Sequence, residues 1–374
     1  MNILILSWRG PGHPNAGGAE TSTDEHMKGW VKAGHKVTLF TSFFKDCKED
    51  DLIDGIEIIR HGRQMLGVQW EAFKWYLFGN HPKFDLIIDQ FHGIPFFTPM
   101  YVKEKKLAFI HETTKEVWAL NPWPIPFNLF PAILGRWGEP LIFKLLYKKI
   151  PFMTVSNSTK IDLIDWGIPK DRITVVHNGF TIPKKNNITT KEKKPTIIFL
   201  GAISKDKGIE DALEVFSILN KANKNFKFWV VGKAGIKYLT ELKLLTSKLN
   251  IEKKTKFYGF VGEEKKFNLL AEAHIMINTS VREGWGLVVT EGAYVGTPTV
   301  GYNVVGLRDS IVDNKTGILC DPNPEACAQQ ILDLLNDSIK YKDLQINCKA
   351  WSKKFSWEKS SQESLSLIEK IVNI

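Results

Sequence analysis

Cysteine is scarce in this chain of 374 residues, which has four. No Cys-x-x-Cys pair occurs, so the spacing indicates neither a zinc site nor a disulfide framework. A reducing, cytoplasmic setting is therefore expected. The four residues concerned are Cys47, Cys320, Cys327 and Cys348.

Long hydrophobic runs are also missing. No stretch reaches the ~18 apolar residues that a membrane span requires. Residues 125–134 and 141–147 come nearest, and both are short and interrupted by Pro or Lys. The N-terminal MNILILS has no basic region before it and Arg9 follows at once, which predicts a first β-strand rather than a signal peptide.

The charge balance is mildly basic, with 50 Lys and Arg against 41 Asp and Glu. No block of basic residues forms a nucleic-acid stripe, so the excess suits an anionic small molecule or an anionic membrane surface. Aromatic residues are plentiful, with 12 Trp and 23 Phe. Several of them cluster between Phe91 and Phe152: Trp118, Trp123, Phe127, Phe130, Trp137 and Phe143.

Short β-branched runs alternate with helical patterns along most of the chain, which predicts an α/β fold with parallel sheets covered on both faces. A first series of strands is predicted at 3–7, 36–42, 55–60, 86–89, 107–111, 152–156 and 173–177. A second series is predicted at 196–200, 227–231, 255–258, 275–278, 297–301 and 317–319. Helices are predicted at 20–33, 209–222, 239–249, 263–273, 288–294 and 324–336.

The segment 183–195 is polar, rich in Lys and bounded by prolines, and is predicted to be a linker. Two α/β domains follow from it, residues 1–185 and 186–354. The last stretch, 355–374, has apolar residues at helical spacing and is predicted to pack as a helix on one of them.

The first strand runs into SWRGPGHPNAGGAE before a helix, and such glycine-rich turns offer backbone N–H groups to phosphate. Neither Gly-Lys-Ser/Thr nor a complete Gly-x-Gly-x-x-Gly is present, so the P-loop and dinucleotide fingerprints both fail. The alternative is that Gly17 and Gly18 serve a tight turn only.

The second series opens in the same way, with LGAISKDKG at residues 200–208. Lys205 and Lys207 lie in a loop before a helix, where an ammonium group can reach an anion held at the helix start. The alternative is a pair of solvated surface lysines.

The segment Arg282-EGWGLVVTEGAYVGTPTVG is the richest in candidate residues. Glu283 lies in a loop pinned by Gly284 and Gly286, whereas Glu291 falls in the early turns of the next helix. Both carboxylates can then face one ligand whose phosphates bind the N–H groups of Gly286 and Leu287. Carboxylates accept paired hydrogen bonds from vicinal hydroxyls, so the pattern suits a sugar and a ribose. The alternative is a Glu that caps the loop glycines.

The segment EGWGLVVTE, with GTPTVGYNVVGLRD and NKTGILCDP after it, resembles the retaining glycosyltransferases of the group-one (family four) type, which have the GT-B fold. Other landmarks occur in the order expected of that family: GGAE, GHKVTLF, His111, VSNS, HNG, FLGAISKDKG and FSWE. The resemblance covers nearly the whole chain, and the C-terminal motif is the specific one.

The resemblance implies two Rossmann-like domains that face a central cleft, with the C-terminal helix packing back on the N-terminal domain. It implies that Gly17 and Gly18 approach the donor diphosphate and that His111 contacts the transferred sugar; the alternative for His111 is a satisfied histidine at a strand end. It further implies that Lys207 binds the diphosphate.

Within the specific motif, the resemblance implies that Glu283 holds the donor sugar, that Gly286 and Leu287 offer N–H groups to phosphate, and that Glu291 holds the ribose. Two further positions match the family: Ser280 before the Glu loop, and Glu139, for which a structural role is expected.

One position departs from the family, which usually has Arg directly after the Gly of the second domain's first strand. Here Ala202 occupies that place. We hypothesise that Lys205 or Arg282 supplies the missing positive charge; the departure also leaves reduced or absent transferase activity as an alternative.

The expected activity is a hexosyltransferase-type transfer, with retention, from a nucleoside-diphosphate sugar to a glycan, a lipid-linked glycan or another hydroxyl acceptor, in polysaccharide or glycolipid biosynthesis. No Asp-x-Asp occurs, so no metal is expected, and the nucleotide sugar is a substrate rather than a cofactor. No nucleic-acid partner is expected. A sugar-nucleotide epimerase and a non-catalytic nucleotide-sugar-binding protein are the alternatives.

Residues 118–150 combine apolar and aromatic side chains with four cations and several prolines, which are expected to break the segment into short pieces. This composition suits a membrane-facing surface or a lipid-carried acceptor, and so a cytoplasmic enzyme peripheral to the inner face of the membrane. The alternative is an ordinary pair of core helices. The cations are Arg136, Lys144, Lys148 and Lys149.

Overall fold

Two β-sheets, one in each of two units, organise the chain in the computed structural model. Unit 1 is Met1–Gly179 with Ser356–Ile374, and unit 2 is Phe180–Phe355. The structure describes residues 1–91, 93–120, 129–182, 190–223 and 225–373, without the side chains of Phe130 and Leu134. The predicted linker residues 183–189 and the predicted aromatic residues Trp123 and Phe127 lie outside the described part.

The elements of unit 1 are, in chain order, β1 Asn2–Ser7, α1 Gly18–Lys32, β2 Lys36–Thr41, β3 Asp50–Ile53, β4 Ile56–Arg60, α2 Leu66–Phe78, β5 Leu86–Phe91, β6 Lys105–Ile110, α3 Leu129–Ile142, β7 Phe152–Thr154, α4 Asn157–Asp165 and β8 Ile173–Val175. A π-helical turn, Phe143–Tyr147, follows α3 directly.

The elements of unit 2 are β9 Thr196–Leu200, α5 Ile209–Ala222, β10 Lys227–Val231, α6 Ile236–Lys248, β11 Thr255–Gly259, α7 Glu263–Glu272, β12 Ile275–Asn278, α8 Leu287–Tyr294, β13 Thr299–Tyr302, α9 Leu307–Ser310, β14 Gly317–Cys320, α10 Pro324–Asn336 and α11 Ser338–Ser352. The chain then returns to unit 1 as α12, Trp357–Asn373.

The sheet of unit 1 has the order β3-β4-β2-β1-β5-β6-β7-β8 and is parallel except for the edge strand β3. The strand register places Leu6 of β1 and Ala108 of β6 on one face of the sheet, since both align with Asp89 of β5. Ser7 and Phe109 both align with Gln90 and lie on the opposite face. Helix α2 packs with Leu6, and His26 of α1 contacts Phe109 on the opposite face. Because both faces are covered, the strands are apolar throughout rather than alternating.

The sheet of unit 2 is parallel throughout, in the order β11-β10-β9-β12-β13-β14. The chain starts at the central strand β9, moves outward on one side, and then crosses to β12 on the other side. The order therefore reverses between β9 and β12, and ligands of such sheets bind outside the carboxyl ends of the strands at that point.

The C-terminal helix α12 packs against α1 of unit 1. Trp30 donates its indole N–H to Ser364 Oγ at 3.0 Å, and the same hydroxyl lies 2.9 Å from His26 Nδ1. A side chain on Gly29 would meet Ser361 Cβ at 2.4 Å, so the two helices approach closely there. Gly34 follows Ala33, the C-cap residue of α1, and ends the helix: it has φ +89° and donates its N–H to the Val31 carbonyl at 2.9 Å.

Besides α3, five elements were not predicted: β3, α2, α4, α9 and α11. Helix α2 is apolar on all sides, so its sequence has no 3.6-residue period. Only one of its faces is buried, through Val68, Gln69 and Ala72, while Trp70 and Phe78 are exposed.

One predicted strand, 297–301, was placed too early, because β13 begins at Thr299. Residue 298 is a proline, which lacks the N–H that a ladder position needs, and the Pro298 carbonyl instead accepts from Met276 N at 3.0 Å.

The expectation that prolines break 118–150 into short pieces was wrong for its second half. Helix α3 continues through Pro131 and Pro140. Pro131 lies in the first turn, where its missing N–H costs little. Pro140 lies inside the helix, and the chain widens into the π-turn soon after it, which is one way to absorb a lost i→i−4 hydrogen bond.

Candidate active site

Two loops of unit 2 meet at the point where its sheet order reverses. One leaves β9 as a short 3-10 turn, Lys205–Lys207, before α5, and the other joins β12 to α8. The two are joined through the backbone, since Val281 donates its N–H to the Asp206 carbonyl at 2.9 Å. The predicted lysine loop and the predicted Glu loop are therefore neighbours.

Gly208 allows this close approach. Its φ is +68°, and a Cβ at this position would lie 1.9 Å from the Thr279 carbonyl oxygen. Thr279 Oγ1 donates to the Gly208 carbonyl at 2.7 Å. A residue with a side chain would be strained in this conformation and would also push the two loops apart.

The Glu loop is held from its other side by the turn before α9. Glu283 donates its N–H to the Val305 carbonyl at 3.1 Å, and a Cβ on Gly306 would lie 2.0 Å from the Glu283 carbonyl oxygen. The backbone of Glu283 is thus fixed by neighbours on two sides, which orients its side chain in advance of any ligand.

The Glu283 carboxylate joins the two loops chemically. Its Oε2 forms an ion pair with Lys207 Nζ at 3.0 Å, and its Oε1 accepts from Ser280 Oγ at 2.7 Å. The side chains of Lys207 and Glu283 are 24% and 13% exposed, so solvent screens this pair only partly. The pair places one cation and one anion side by side where the strands end.

Helix α8 begins directly after the Glu loop. Gly286, at φ +78°, precedes its first residue, Leu287, and its carbonyl accepts from the Val289 N–H at 2.9 Å. The N–H groups of Leu287 and Val288 come before that bond and have no carbonyl one turn earlier in the helix to donate to. Glu291 lies in the second turn of α8, as predicted from the sequence. Gly284 is half-buried within the loop.

Glu291 is paired with a residue that the sequence analysis did not identify. Lys266 of α7 lies 2.7 Å from Glu291 Oε1 and 2.9 Å from Glu263 Oε1. Burial raises the pKa of the Glu291 carboxyl above its ordinary value, and the attraction of Lys266 opposes that rise. Burial lowers the pKa of Lys266, but the attraction of Glu291 outweighs it and the net direction is upward. Lys266 therefore remains protonated and favours the ionised form of Glu291.

Ala202, which stands where the family usually has an arginine, and the two cations considered as its replacement differ in solvent exposure. Ala202 and Lys205 are exposed, and within the described part of the chain Lys205 forms no ion pair. Arg282 is buried, with 4% of its surface accessible. The hypothesis that Lys205 or Arg282 replaces the family arginine stays a prediction.

In unit 1, the predicted glycine loop lies at the end of β1 and leads into α1. Gly17 and Gly18 are exposed. Gly17 donates its N–H to Glu20 Oε2 at 2.7 Å, and Arg9 forms an ion pair with Glu20 Oε1 at 2.9 Å. Both oxygens of the Glu20 carboxylate therefore hold the loop in place.

Strand β6 ends at Ile110, one residue earlier than predicted, so His111 directly follows the strand rather than ending it. Its ring is buried, with its centroid 4.3 Å from that of Phe109, and its Nε2 lies 3.5 Å from Thr23 Oγ1. The roles predicted for His111 and for the glycines of unit 1 stay predictions.

Glu139 is buried and accepts hydrogen bonds from the Thr114 N–H at 3.2 Å and the Trp118 indole N–H at 3.0 Å. Burial raises the pKa of Glu139 to about 7. These two hydrogen bonds hold α3 against the chain at Thr114 and Trp118, so they stabilise the packing of the helix.

Lys266 is the main site residue that the sequence analysis missed. A lysine three residues into a helix resembles any solvated helix residue, and its partner Glu291 is 25 positions later. Only the packing of α7 on α8 brings the two together. Among the described residues, no three His, Cys, Asp or Glu side chains lie close enough to hold a metal ion.

Two family models match the chain in succession: Glycosyltransferase Family 4 over residues 16–182 and Glycosyl transferases group 1 over residues 181–351. The chain belongs to the group 1 glycosyltransferases. It is a hexosyltransferase-type enzyme with the GT-B fold of two Rossmann-like domains, which confirms the predicted family, fold class and enzyme class.

Relatives of this glycosyltransferase extend over its whole length. The alpha-1,3/1,6-mannosyltransferase ALG2 of Dictyostelium discoideum is 25% identical, over 99% of this chain and 98% of that protein. The sucrose-phosphate synthase of Thermosynechococcus elongatus has a similar structure, with a TM-score of 0.79 and 17% identity, over 99% of this chain and 98% of that one. The Anabaena protein HepE, solved in complex with UDP and glucose, has a TM-score of 0.74 at 18% identity, over 99% and 100% of the two chains.

No helix in the described parts of this glycosyltransferase combines the length and the apolar character that crossing a membrane demands.

Proposed function

We propose that this glycosyltransferase transfers a hexose, with retention of configuration and without a metal ion, from a nucleoside-diphosphate sugar to a hydroxyl of a glycan or lipid-linked glycan. The observation that carries the proposal is the Lys207–Glu283 ion pair, 3.0 Å long, at the point where the sheet of unit 2 reverses its order. A cation for phosphate and an anion for sugar hydroxyls lie together where such sheets bind nucleotides.

The diphosphate is the first part of the donor that this site accommodates. The first turn of α8 presents the N–H groups of Leu287 and Val288 ahead of the Val289 N–H, which donates to the Gly286 carbonyl at 2.9 Å, and the helix dipole adds a partial positive charge. The Lys207 ammonium lies on the neighbouring loop. Together they offer hydrogen-bond donors and charge to an anion.

The hydroxyl groups of the donor are the second part. Glu283, fixed by Ser280 and by its own backbone, is assigned to the sugar, and Glu291 is assigned to the ribose. Glu291 Oε1 accepts from Lys266, so its other oxygen is the one assigned to the ribose diol. An ionised carboxylate has enough lone pairs for both partners.

The proposed reaction breaks the bond between the anomeric carbon and the diphosphate oxygen and forms a bond from the same carbon to the acceptor oxygen. The acceptor attacks from the face that the diphosphate leaves, which retains the configuration. The acceptor proton passes to the departing phosphate oxygen. Negative charge grows on the diphosphate during this step, and Lys207 with the α8 N–H groups stabilises it.

The proposal of metal independence rests on these groups and on the sequence. The chain has no Asp-x-Asp, the motif that holds a metal in the other glycosyltransferase architecture. Activity that persists in the presence of EDTA is the result expected, and loss of activity that Mg²⁺ or Mn²⁺ restores would contradict it.

The relatives support a hexose donor in nucleoside-diphosphate form. HepE was solved with UDP and glucose, and ALG2 is named a mannosyltransferase. We therefore propose a nucleoside-diphosphate hexose for this chain, with a glycan or lipid-linked glycan as acceptor.

A thermal-shift screen of UDP-, GDP-, ADP- and TDP-hexoses tests the donor. The nucleotide sugar that binds is expected to raise Tm in a concentration-dependent way, because it binds the folded enzyme alone. NMR of the product made from that donor then reports the anomeric configuration. An inverted product would refute retention, and no Tm shift with any of the four donor classes would refute the donor assignment.

Replacing Lys266 by methionine is expected to make donor binding more sensitive to pH. Without the ammonium, nothing opposes the burial that raises the pKa of Glu291, so a larger fraction of that carboxyl is protonated as the pH falls. A protonated carboxyl loses acceptor capacity. We expect donor affinity about tenfold below wild type at pH 6, the size of one charged hydrogen bond, and a smaller loss at pH 8.

Calorimetric titration of K266M with the donor at several pH values measures this effect. Lys265→Met is the matched control, because Lys265 is the exposed neighbour on the same helix. A loss of affinity in K266M that is equal at all pH values would show that Lys266 acts on packing rather than on the charge of Glu291.

A further inference from the structure

Helix α3 and the π-turn after it expose a row of apolar side chains at four-residue spacing. Trp137, near the middle of the row, is 73% exposed. An indole so open to water is unusual for a soluble surface, and the whole row continues from one end of the segment to the other. Its members are Leu129, Ile133, Trp137, Leu141 and Leu145.

The opposite face of the same segment is firmly packed. Glu139, Phe143 and Tyr147 are buried, and Trp118 lies so close to Gly135 that an added Cβ would meet its ring at 2.3 Å. The Trp118 indole N–H also donates to Glu139. The helix therefore cannot rotate to bury the row without losing these contacts, and the exposure follows from the fold of unit 1.

Positive charge accompanies the row. Four exposed cations lie among its apolar side chains: Arg136, Lys144, Lys148 and Lys149. The one acidic residue between positions 129 and 149 is Glu139, which is buried on the other face. The exposed face of 129–149 thus combines apolar side chains with charge of a single sign.

We propose that this face docks unit 1 on an anionic lipid surface. Apolar side chains of an interfacial helix enter the boundary between headgroups and acyl chains, while lysine and arginine bind the anionic headgroups. A second copy of the same face would bring its four cations against these four, which disfavours self-association. A nucleic acid would pair with the cations but would leave the apolar row exposed to water.

The docking face belongs to unit 1, whereas the residues assigned to the donor phosphates and hydroxyls belong to unit 2. Vesicle binding and nucleotide-sugar binding are therefore measured independently. If the protein fails to bind vesicles, the proposed donor site is unaffected, and if it fails to bind nucleotide sugars, the proposed docking face is unaffected. Docking would bring the enzyme to acceptors carried in a lipid surface.

Vesicle sedimentation of the full chain tests the proposal. Vesicles of phosphatidylcholine alone are compared with vesicles containing 30% phosphatidylglycerol. The wild type is expected to bind the anionic vesicles at low salt and to lose most binding at 0.5 M salt, where charges are screened within a few ångströms. Absence of binding to anionic vesicles at low salt overturns the proposal.

Two double variants separate the contributions of charge and of apolar contact. K144Q/K148Q is expected to weaken binding to anionic vesicles about 25-fold, at roughly fivefold for each cation. W137S/L141S is expected to weaken it at least about tenfold, because less apolar surface enters the lipid. The control I236S/I339S removes two exposed isoleucines of unit 2 and is expected to bind as the wild type does.

Two other outcomes overturn the proposal. The exposed apolar face of α2 is an alternative docking surface, and loss of binding in W70S/F78S with retention in W137S/L141S would assign the membrane contact to α2. Light scattering that shows a dimer of the wild type and a monomer of W137S/L141S would assign the row to a second copy. Unchanged Tm in all variants is the check that each one is folded.

Discussion

Replacing Lys207 by methionine is expected to lower kcat about 100- to 1,000-fold, the usual loss when one preorganised donor to a developing oxyanion is removed. The Lys207 ammonium lies 3.0 Å from Glu283, next to the start of α8, where we place the donor diphosphate. The leaving diphosphate gains charge as the sugar bond breaks, so the lysine is needed more in the transition state than in the ground state. Initial-rate kinetics with the donor found in the thermal-shift screen give kcat and KM separately.

Two further variants make the Lys207 result specific. Lys221→Met removes a lysine from the far end of α5, which follows the same turn, and is expected to retain wild-type kcat. Lys207→Arg keeps the charge and is expected to recover part of the activity. If K207M lowered kcat no more than K221M does, the assignment of Lys207 to the diphosphate would be wrong.

The same assay tests the hypothesis that another cation replaces the arginine that the family has in place of Ala202. Lys205→Met is expected to raise KM for the donor several-fold if the exposed Lys205 supplies the charge. Restoring the arginine with A202R is then expected to cancel most of that rise, so the two changes are non-additive. If neither Lys205→Met nor Arg282→Met weakens donor binding, the compensation hypothesis fails.

Replacing Glu283 by glutamine is expected to lower kcat/KM about 100- to 1,000-fold while leaving the affinity for the free nucleoside diphosphate within about threefold of wild type. Glutamine keeps one acceptor oxygen but loses the charge that pairs with Lys207 and that we assign to the sugar hydroxyls. Each hydrogen bond to a charged group contributes roughly 1.5–3 kcal/mol, and two are affected. The expected loss lies toward the lower end of their sum because the glutamine oxygen still accepts a hydrogen bond. The nucleoside diphosphate lacks the sugar and so should not depend on this carboxylate.

The comparison of nucleotide sugar with nucleoside diphosphate decides what Glu283 does. An equal loss of affinity for both would show that Glu283 acts on the loop or on the phosphates rather than on the sugar. Ser280→Ala removes a single hydrogen bond to Glu283 Oε1 and is expected to lower kcat/KM by about tenfold at most. Glu264→Gln, an exposed carboxylate on α7, is the charge-matched control.

Much of unit 2 was predictable from local pattern. The runs 196–200 and 227–231 are the observed β9 and β10, because strands buried on both faces are short, apolar and clearly bounded. The Glu loop was predictable as well, because Glu283 and two glycines directly before a helix, with Glu291 at a fixed spacing inside that helix, leave few arrangements for the backbone.

Helix α2 shows where local pattern fails. Its apolar residues lie on every side, so no period distinguishes it from a strand or a loop, and its boundaries follow from the partners of Val68 and Ala72 in the core. Pro140 shows a second failure: a proline predicts a break, yet α3 continues because Phe143 and Tyr147 are anchored in the core beyond it.

The sequence by itself determined the family, the two series of strands and helices, and the residue types gathered in the Glu loop, because these depend on short-range spacing. Tertiary structure alone decided that Lys266 faces Glu291, that Lys207 meets Glu283, and that the row containing Trp137 remains exposed while Glu139 is buried. The physical reason is distance along the chain. Partners that lie 25 or more residues apart meet only through the order of strands in a sheet and the packing of helices on it, and neither is encoded in a local pattern.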